Sequence, residues 1–356
     1  MRSPRSRWSL AMTAYHFVFD RPAVTSSDLP KIDAHTHLFY ERGFLAAFLE
    51  AHNLRVVVIN ITGKGFFKEP MDARWRAMRA FKAAHPERVL LCTTFDSEVA
   101  IHAEDGVEQV IQRLRTHIRQ GASLVKVWKD LGLRVKDGEG RYVQVDDPRF
   151  QPIWDFLAGE GVPVMAHIAE PRAAWLPLDE ASPHYRFYRD HPEHHLLGRT
   201  DVPSWETLIQ ARDRWVAQNP ALTVIGAHLG SMAHDVAEVA SRLDRYDNFY
   251  VDTAERFGDL VVQSSDRVRD FFERYADRIL YGTDIIVDAP PGTPLDEEEA
   301  CSSYEALLQD HEAYLSGDGS IEVQDKLLEP VTVPALDLPP EVLRKIYHDS
   351  AARLFS

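Results

Sequence analysis

Cysteine is scarce in this sequence. Only Cys92 and Cys301 occur among the 356 residues, and neither has a second cysteine at CxxC spacing. The sequence therefore gives no support for a zinc site built from thiolates. Two cysteines in so long a chain are typical of a protein from a reducing compartment, and we expect a cytoplasmic location.

Long apolar runs and an excess of basic residues are also missing. No stretch of about 18 consecutive apolar residues occurs, so we expect no transmembrane helix and no membrane partner. The net charge is -15, from 55 acidic against 40 basic residues. This balance argues against nucleic acid as a partner, because binding a phosphate backbone requires a basic surface.

The first 30 residues differ from the rest. Three arginines, at positions 2, 5 and 7, precede a short apolar stretch that also contains Ser9 and Thr13. This stretch is too short and too polar for the apolar region of a secretory signal. We therefore interpret residues 1–30 as an N-terminal extension and residues 31–356 as a single domain.

Eight short β-rich runs alternate with segments of helical periodicity along residues 31–356. The runs are apolar through most of their length, as expected for parallel strands that are buried on both faces. They are Lys31–Thr36, Arg55–Ile61, Arg88–Thr94, Leu124–Val127, Val162–His167, Leu222–His228, Asn248–Thr253 and Arg278–Thr283. The helical segments are Phe44–His52, Met71–His85, Asp105–Gln120, Pro148–Glu160, Pro203–Gln218, Met232–Tyr246, Ser264–Ala276 and Pro340–Leu354.

This alternation predicts an α/β protein with a parallel sheet, most simply a (β/α)8 TIM barrel. An open, doubly wound sheet is the alternative, but it brings residues from distant strands to one point less readily. Two long, irregular stretches break the alternation: residues 170–202 follow the fifth strand, and residues 288–338 follow the eighth. In a barrel such loops lie over the C-terminal face, where active sites form. The first stretch is rich in histidine and aromatic residues, which predicts a substrate lid. For the second stretch, a lid and a peripheral role remain equal alternatives.

Residue types that bind metals stand at the ends of several predicted strands. In Asp33-Ala34-His35-Thr36-His37, the two histidines are one residue apart, so both point to the same side of a strand. The other candidates are Lys126, His167, His228 and Asp284. Neutral imidazole and carboxylate suit zinc, iron or manganese. The series therefore predicts a metal-dependent enzyme.

The order and types of these residues resemble the amidohydrolase superfamily of metal-dependent barrel enzymes. The match consists of HxH after the first strand, histidine after the fifth and sixth, and aspartate after the eighth. Two further segments, Ala227–Gly230 (AHLG) and Ser350–Phe355 (SAARLF), resemble the amidohydrolase-related (amidohydrolase 2-like) branch. That branch includes hydrolases, lactonases, hydratases and non-oxidative decarboxylases.

The resemblance also implies roles for individual residues. The residues implied as ligands of a divalent metal, with zinc expected, are His35, His37, His167 and Asp284. His228 would bind a second metal ion or act as an electrophile or acid–base group beside the first. Lys126 has the position of a lysine that is carboxylated and bridges two ions in the two-metal branches. The alternative for Lys126 is a substrate-binding or salt-bridged lysine.

The expected activity is hydrolysis of an amide, lactone or ester bond in a small molecule by metal-activated water. Asp284 and His228 would be the catalytic residues. One alternative is a non-oxidative decarboxylase or hydratase on the same barrel, and another is a non-catalytic barrel that binds a ligand. The candidates for substrate contact are Arg172, Arg256, Lys129 and Trp128. A homodimer is the default expectation for the assembly.

Overall fold

A computed structural model describes residues 29–62, 67–323 and 327–355. Within them, nine parallel strands form one sheet. The strands are β1 (Lys31–Leu38), β2 (Leu54–Ile59), β3 (Val89–Thr94), β4 (Ala122–Val127), β5 (Val164–Ala166), β6 (Val224–Gly226), β7 (Phe249–Asp252), β8 (Ile279–Leu280) and β9 (Ile285–Val287). Their order across the sheet is β8-β7-β6-β5-β4-β3-β2-β1-β9. Each predicted strand is present, although β5, β6 and β8 are shorter than predicted.

The sheet closes where the chain passes from β8 to β9. β8 pairs with β7, whereas β9 pairs with β1. Between these two pieces, the Ala34 amide donates to the Tyr281 carbonyl (2.8 Å) and the Asp284 amide donates to the His35 carbonyl (2.8 Å). β8 and β9 are therefore two parts of one interrupted eighth strand. The predicted TIM barrel is confirmed.

Helices surround the barrel where the alternation predicts them. They are Gly43–Ala51, Met71–Ala84, Gly106–Arg119, Gln151–Gly159, Trp205–Gln218, Val236–Arg245, Ser265–Tyr275 and Pro340–Arg344, the last of which continues through Lys345–Asp349 into Ser350–Phe355. Shorter helical turns that were not predicted are Ser97–His102, Asp130–Leu133 and Phe257–Val261. Each long helix buries one apolar face, such as Val110, Ile111 and Leu114 in Gly106–Arg119.

The two long stretches are more regular than predicted. Residues 170–202 contain the short helix Tyr185–Asp190 between two 3-10 turns. Residues 288–338 contain the 20-residue helix Glu297–Ser316 and an antiparallel hairpin of β10 (Ser320–Val323) and β11 (Val331–Pro334). The long segment after the eighth strand is present as predicted, but it contains a helix and a hairpin that were not predicted.

The long helix Glu297–Ser316 forms for reasons that its acidic composition obscured. Asp296 caps the helix by accepting a hydrogen bond from the Glu299 amide (3.0 Å). Three glutamates in the first turn suit the positive end of the helix dipole. On the opposite face, Tyr304 and Leu308 are buried against the barrel. The glutamates of the first turn thus mark the start of the helix.

The part of the chain that the structure describes includes no helix both long and apolar enough to cross a membrane. The predicted N-terminal extension, residues 1–30, lies outside the described residues apart from its last two positions. The division into an extension and one domain therefore stays a prediction.

Candidate metal centre

Two histidines of β1 and the aspartate that interrupts the eighth strand meet at the C-terminal end of the barrel. His35 Nε2 lies 3.5 Å and His37 Nε2 lies 3.3 Å from Oδ1 of Asp284. Asp284 has a left-handed backbone (φ 65°), at the point where the strand breaks. A Cβ on Gly282 would lie 3.0 Å from the Cβ of His35, so glycine permits this close approach of the two segments.

Hydrogen bonds on the far side of each ring determine where its proton lies. His37 Nδ1 donates to the Ile59 carbonyl (2.8 Å), and His35 Nδ1 donates to the Asp252 carboxylate (2.9 Å). A neutral imidazole carries one N–H, so both Nε2 atoms present lone pairs toward Asp284. Lone pairs and an anionic oxygen at these distances repel each other unless a cation lies between them.

The charge states of these groups agree with a cation site. Burial lowers the pKa of His37, so its ring is neutral at neutral pH. Burial alone would raise the pKa of Asp284, but His35, together with His37 and His228, outweighs it and holds the pKa well below its usual value. The lowered pKa leaves Asp284 ionised, and a carboxylate together with imidazole nitrogens is a donor set that a divalent metal ion binds.

His228 is presented by an unusual turn after β6. Four successive residues, 228–231, have left-handed φ angles between 53° and 64°. The His228 amide donates to Asp252 Oδ1 (2.7 Å), and its Nδ1 donates to the Ala254 carbonyl (2.9 Å). Its Nε2 therefore carries a lone pair and lies 4.0 Å from Asp284 Oδ2. Burial also holds the pKa of His228 well below its usual value.

His167, which directly follows β5, packs against His228. Its Nδ1 lies 3.1 Å from Nε2 of His228, while its own Nε2 is buried with no hydrogen-bond partner among the described residues. Burial holds the pKa of His167 well below its usual value, so the ring is neutral. A buried ring nitrogen without a partner has the character of a metal ligand. One ligand atom each from His35, His228 and Asp284 also lies within 4.8 Å of the others.

Lys126 reaches the same place from β4. Its side chain is buried, and its Nζ lies 3.1 Å from His35 Nε2. Burial lowers the pKa of Lys126, which favours the neutral amine. All six residues that the sequence analysis proposed as ligands are therefore brought together. Which of them bind a metal stays a prediction.

Asp252, the last residue of β7, was missed by the sequence analysis. Its fully buried carboxylate accepts from His35 Nδ1 through Oδ2, and from the amides of His228 (2.7 Å) and Ala254 (3.2 Å) through Oδ1. Burial alone would raise the pKa of Asp252, but His35 outweighs it and the pKa is lowered. A carboxylate ending an otherwise apolar strand run was the available signal.

Asp33 has a corresponding role on β1. Its Oδ1 accepts from the amides of His35 (3.1 Å) and Thr283 (3.0 Å), and its Oδ2 accepts from the hydroxyls of Thr283 (2.5 Å) and Tyr304 (2.8 Å). Burial raises the pKa of Asp33 to about 6, although these hydrogen bonds oppose the shift. Asp33 thus joins the HxH strand to the residue before Asp284 and to the long helix after β9.

Lys129 and Trp128, two of the residues proposed to contact substrate, lie just after β4. Trp128 is buried, and the Lys129 ammonium lies 5.6 Å from the centroid of its ring. Lys129 also forms a close ion pair with Glu170. Burial alone would raise the pKa of Glu170, but Lys129 outweighs it and the pKa is lowered. The charge of Lys129 is therefore already compensated.

The two arginines proposed to contact substrate differ in their surroundings. Arg256 is buried, and its Nη1 donates to the Glu255 carbonyl (2.6 Å). Arg172 is partly exposed, lies over the ring of Trp205 (5.4 Å to the centroid) and approaches Glu206 (3.9 Å). Both line a cavity of about 190 Å³ at the rim of the barrel. Contact with a substrate stays a prediction for both.

Comparisons with known proteins agree with this geometry. A family model described as Amidohydrolase matches residues 32–356. The chain belongs to the amidohydrolase family. No functionally curated protein matches this amidohydrolase in sequence.

Solved structures that resemble this amidohydrolase are distant in sequence. The uncharacterized TIM-barrel protein Bb4693 from Bordetella bronchiseptica is 17% identical, with a TM-score of 0.51 over 92% of this chain and 98% of that one. A dihydroxybenzoic acid decarboxylase from Polaromonas sp. JS666, with bound manganese and the inhibitor 2-nitroresorcinol, is 14% identical, with a TM-score of 0.50 over 92% and 97%. A 2,6-dihydroxybenzoate decarboxylase in complex with 2,6-dihydroxybenzoate is 17% identical, with a TM-score of 0.50 over 92% and 98%. At these identities the likeness shows a shared fold.

Proposed function

We propose that this amidohydrolase is a metal-dependent hydrolase that cleaves an amide, lactone or ester bond in a small molecule. The observation that carries the proposal is the approach of two imidazole Nε2 atoms, of His35 and His37, to the carboxylate of Asp284. The proposed ligands of the ion, expected to be zinc, are His35, His37, His167 and Asp284. A bound divalent ion would polarise a carbonyl and lower the pKa of a water from about 15.7 toward about 7.

In the proposed reaction, Asp284 accepts a proton from the attacking water and passes it to the leaving group. Its side chain is 19% exposed, more than the 1% of His35 and the 7% of His37, so it is the group that solvent and substrate reach. The hydrogen bond from Nδ1 of His228 to Ala254 leaves Nε2 as an acceptor. Nε2 of His228 accepts from Nδ1 of His167 (3.1 Å) in this structure, and on binding of substrate it would accept a hydrogen bond from water or bind a second ion, rather than donate to a carbonyl oxygen.

Lys126 distinguishes a one-ion from a two-ion centre. An ammonium group beside His35 would repel a cation bound there, whereas a lysine carboxylated by CO2 is an anion that can bridge two ions. Native mass spectrometry decides between these states. A mass increase of one CO2 together with two ions per chain supports the bridged centre. An unmodified lysine with one ion per chain supports the alternative, in which Lys126 binds the substrate or forms a salt bridge.

A non-oxidative decarboxylase is the second candidate. It is supported by the fold shared with the two dihydroxybenzoate decarboxylases and by the positive charge of Arg256, which lowers the pKa of His167. This charge suits a substrate carboxylate. In this reaction the bond from carbon to the carboxylate breaks, CO2 leaves, and a proton taken up by Asp284 or a histidine is delivered to carbon.

The proposal is tested by metal content and by the products formed. We expect at least one ion per chain after loading with zinc or manganese, and loss of the ion in His37→Ala. The matched control is His102→Ala, because His102 is exposed on the barrel surface and pairs with Glu98. Loaded protein is then tested on lactones, amides, esters and dihydroxybenzoates. Uptake of water without CO2 supports the hydrolase, and release of CO2 without net uptake of water supports the decarboxylase.

One outcome would contradict both enzyme assignments. If the wild-type protein binds no metal when zinc and manganese are supplied, the convergence of His37 and Asp284 has another cause. The non-catalytic, ligand-binding barrel is then the remaining interpretation.

A further inference from the structure

A cavity of about 620 Å³ opens at the C-terminal ends of β2, β3 and β4. Its wall includes Trp128, directly after β4, and Phe67, whose ring centroid lies 5.5 Å from that of His37. The cavity therefore borders the candidate metal centre on the same face of the barrel. Its volume is within the range of about 300–1,000 Å³ that small-molecule sites have.

Asp130 lines this cavity and lacks a full set of partners. The residue is only 8% exposed, and its Oδ1 atom has no hydrogen-bond partner in the described ranges of the chain. Burial raises the pKa of Asp130 to about 6, although hydrogen bonds from the hydroxyls of Ser97 and Thr62 and from the backbone amides of Asp130 and Leu131 favour the charged form. At neutral pH the side chain is therefore a buried carboxylate with an unused acceptor, which is unfavourable unless a ligand supplies a donor.

Two of the three cationic side chains around the cavity, Arg74 and Arg134, interact with groups other than Asp130. Five carboxylates but three cationic side chains line it among the described residues, and one of the carboxylates, Asp72, pairs with Arg113 outside the lining. Arg74 is directed elsewhere, since it donates to Asn60 Oδ1 (3.1 Å) and to the Ile61 carbonyl (2.5 Å). Arg134 lies over the ring of Trp128 (5.8 Å to the centroid). The cavity thus favours a positively charged group.

The geometry points to an ammonium group rather than to a second metal ion. A metal site needs several ligand atoms close together, and in the described ranges the one such group is that of His35, His228 and Asp284. Asp130 offers a carboxylate without such neighbours. One carboxylate with adjacent hydroxyls is enough to hold an ammonium group, and the ring of Trp128 supplies an aromatic wall beside it.

We propose that this cavity receives the non-reacting end of the substrate and that Asp130 binds a primary ammonium group on it. The inference rests on the proposed function, because it assumes that the reacting carbonyl or carboxylate lies at the metal centre beyond Phe67. The substrates are therefore amine-bearing small molecules, and Asp130 is the residue that selects them over neutral or anionic analogues.

The test measures binding of three small probes to the metal-loaded protein at neutral pH, by ligand-observed NMR. The probes are benzylamine, benzyl alcohol and benzoate, which share a ring and differ in charge. We expect benzylamine to bind about tenfold or more tightly than benzyl alcohol, as one charged hydrogen bond implies. Asp130→Asn keeps the side-chain size and removes the charge, and it should weaken benzylamine by a similar factor. Asp244→Asn is the matched control, because Asp244 does not line this cavity and pairs with Arg274 on the surface.

Each outcome bears on the inference. Equal binding of benzylamine and benzyl alcohol to the wild-type protein would overturn it, and this comparison holds even where a variant does not fold. Unchanged binding of benzylamine to folded Asp130→Asn would overturn it as well. Metal content is measured on the same samples. Protein that binds metal but not benzylamine contradicts the ammonium site alone, whereas protein that binds no metal contradicts the proposed function.

Discussion

Replacing Asp252 by asparagine tests whether the buried carboxylate prepares His35 to bind a metal. The carboxylate is an acceptor on both oxygens, toward His35 Nδ1 on one side and toward the amides of His228 and Ala254 on the other. An amide has only one oxygen, so its NH2 group must face a donor in either orientation. If the NH2 faces His35, the imidazole must move its proton to Nε2 and lose the inward lone pair. If it faces the two amides, those donors lose their acceptor.

These contacts set the expected losses of metal affinity and of stability. We expect Asp252→Asn to weaken metal binding by about 10- to 100-fold, the usual effect of removing a partner that orients a metal-binding histidine. A donor facing a donor in a fully buried site should also lower the free energy of unfolding of the metal-free protein by about 1–3 kcal/mol. Competition with a chelator measures the first effect, and urea denaturation measures the second.

Asp244→Asn is the control, since Asp244 is half-exposed and pairs with Arg274 on the surface. We expect it to change stability by less than about 1 kcal/mol and to leave metal affinity unchanged. Wild-type metal affinity in Asp252→Asn would refute the reasoning, because the proton position on His35 would then not depend on Asp252.

Three further predictions concern stability. Gly230→Ala should lower the free energy of unfolding in urea by about 1–2 kcal/mol, because Gly230 has φ 64° and a Cβ would lie 2.9 Å from Nη1 of Arg212; an unchanged midpoint would contradict a left-handed turn. The pKa of Asp130 is raised from 3.8 to about 6 in the folded protein. Its contribution to the free energy of unfolding is therefore greatest below pH 3.8 and is lost as the pH rises through about 6. Asp130→Asn should therefore gain stability relative to wild type between pH 4 and pH 7, by up to about 3 kcal/mol, and a flat difference would be evidence against the burial cost. Zinc or manganese at about 100 times its Kd should stabilise the wild type by about 2.7 kcal/mol in thermal or urea melts, and His35→Ala should abolish this gain.

The barrel could be predicted because its strands are apolar on both faces and its helices bury one stripe each. These two periodicities are properties of the local sequence, and they place His35, His167 and His228 at strand ends without knowledge of any contact. The interrupted eighth strand could not be predicted. Its second part, β9, pairs with β1 only because Asp284 adopts a left-handed backbone, and non-glycine residues in that conformation leave no mark in hydrophobic patterning.

The partners of the site residues were hidden for a different reason. Asp252 lies 217 residues from His35 in sequence, and Asp33 lies 271 residues from Tyr304. A hydrogen bond across such a separation depends on which strands become neighbours when the barrel closes. Residue type and strand position indicate which residues reach the C-terminal face, whereas the proton on each histidine is determined by acceptors contributed from other strands.

These two buried carboxylates also indicate how the centre depends on its metal. Asp33 joins β1 to the eighth strand, and Asp252 joins β1 to the turn that carries His228. The segments that carry the candidate ligands are therefore joined by hydrogen bonds within the protein, which oppose the repulsion among the ligand atoms. Substituting a ligand such as His37 should then remove the ion and leave the fold intact. Substituting Asp252 should lower both the metal affinity and the free energy of unfolding, because it removes the hydrogen bonds that orient His35 and the turn carrying His228.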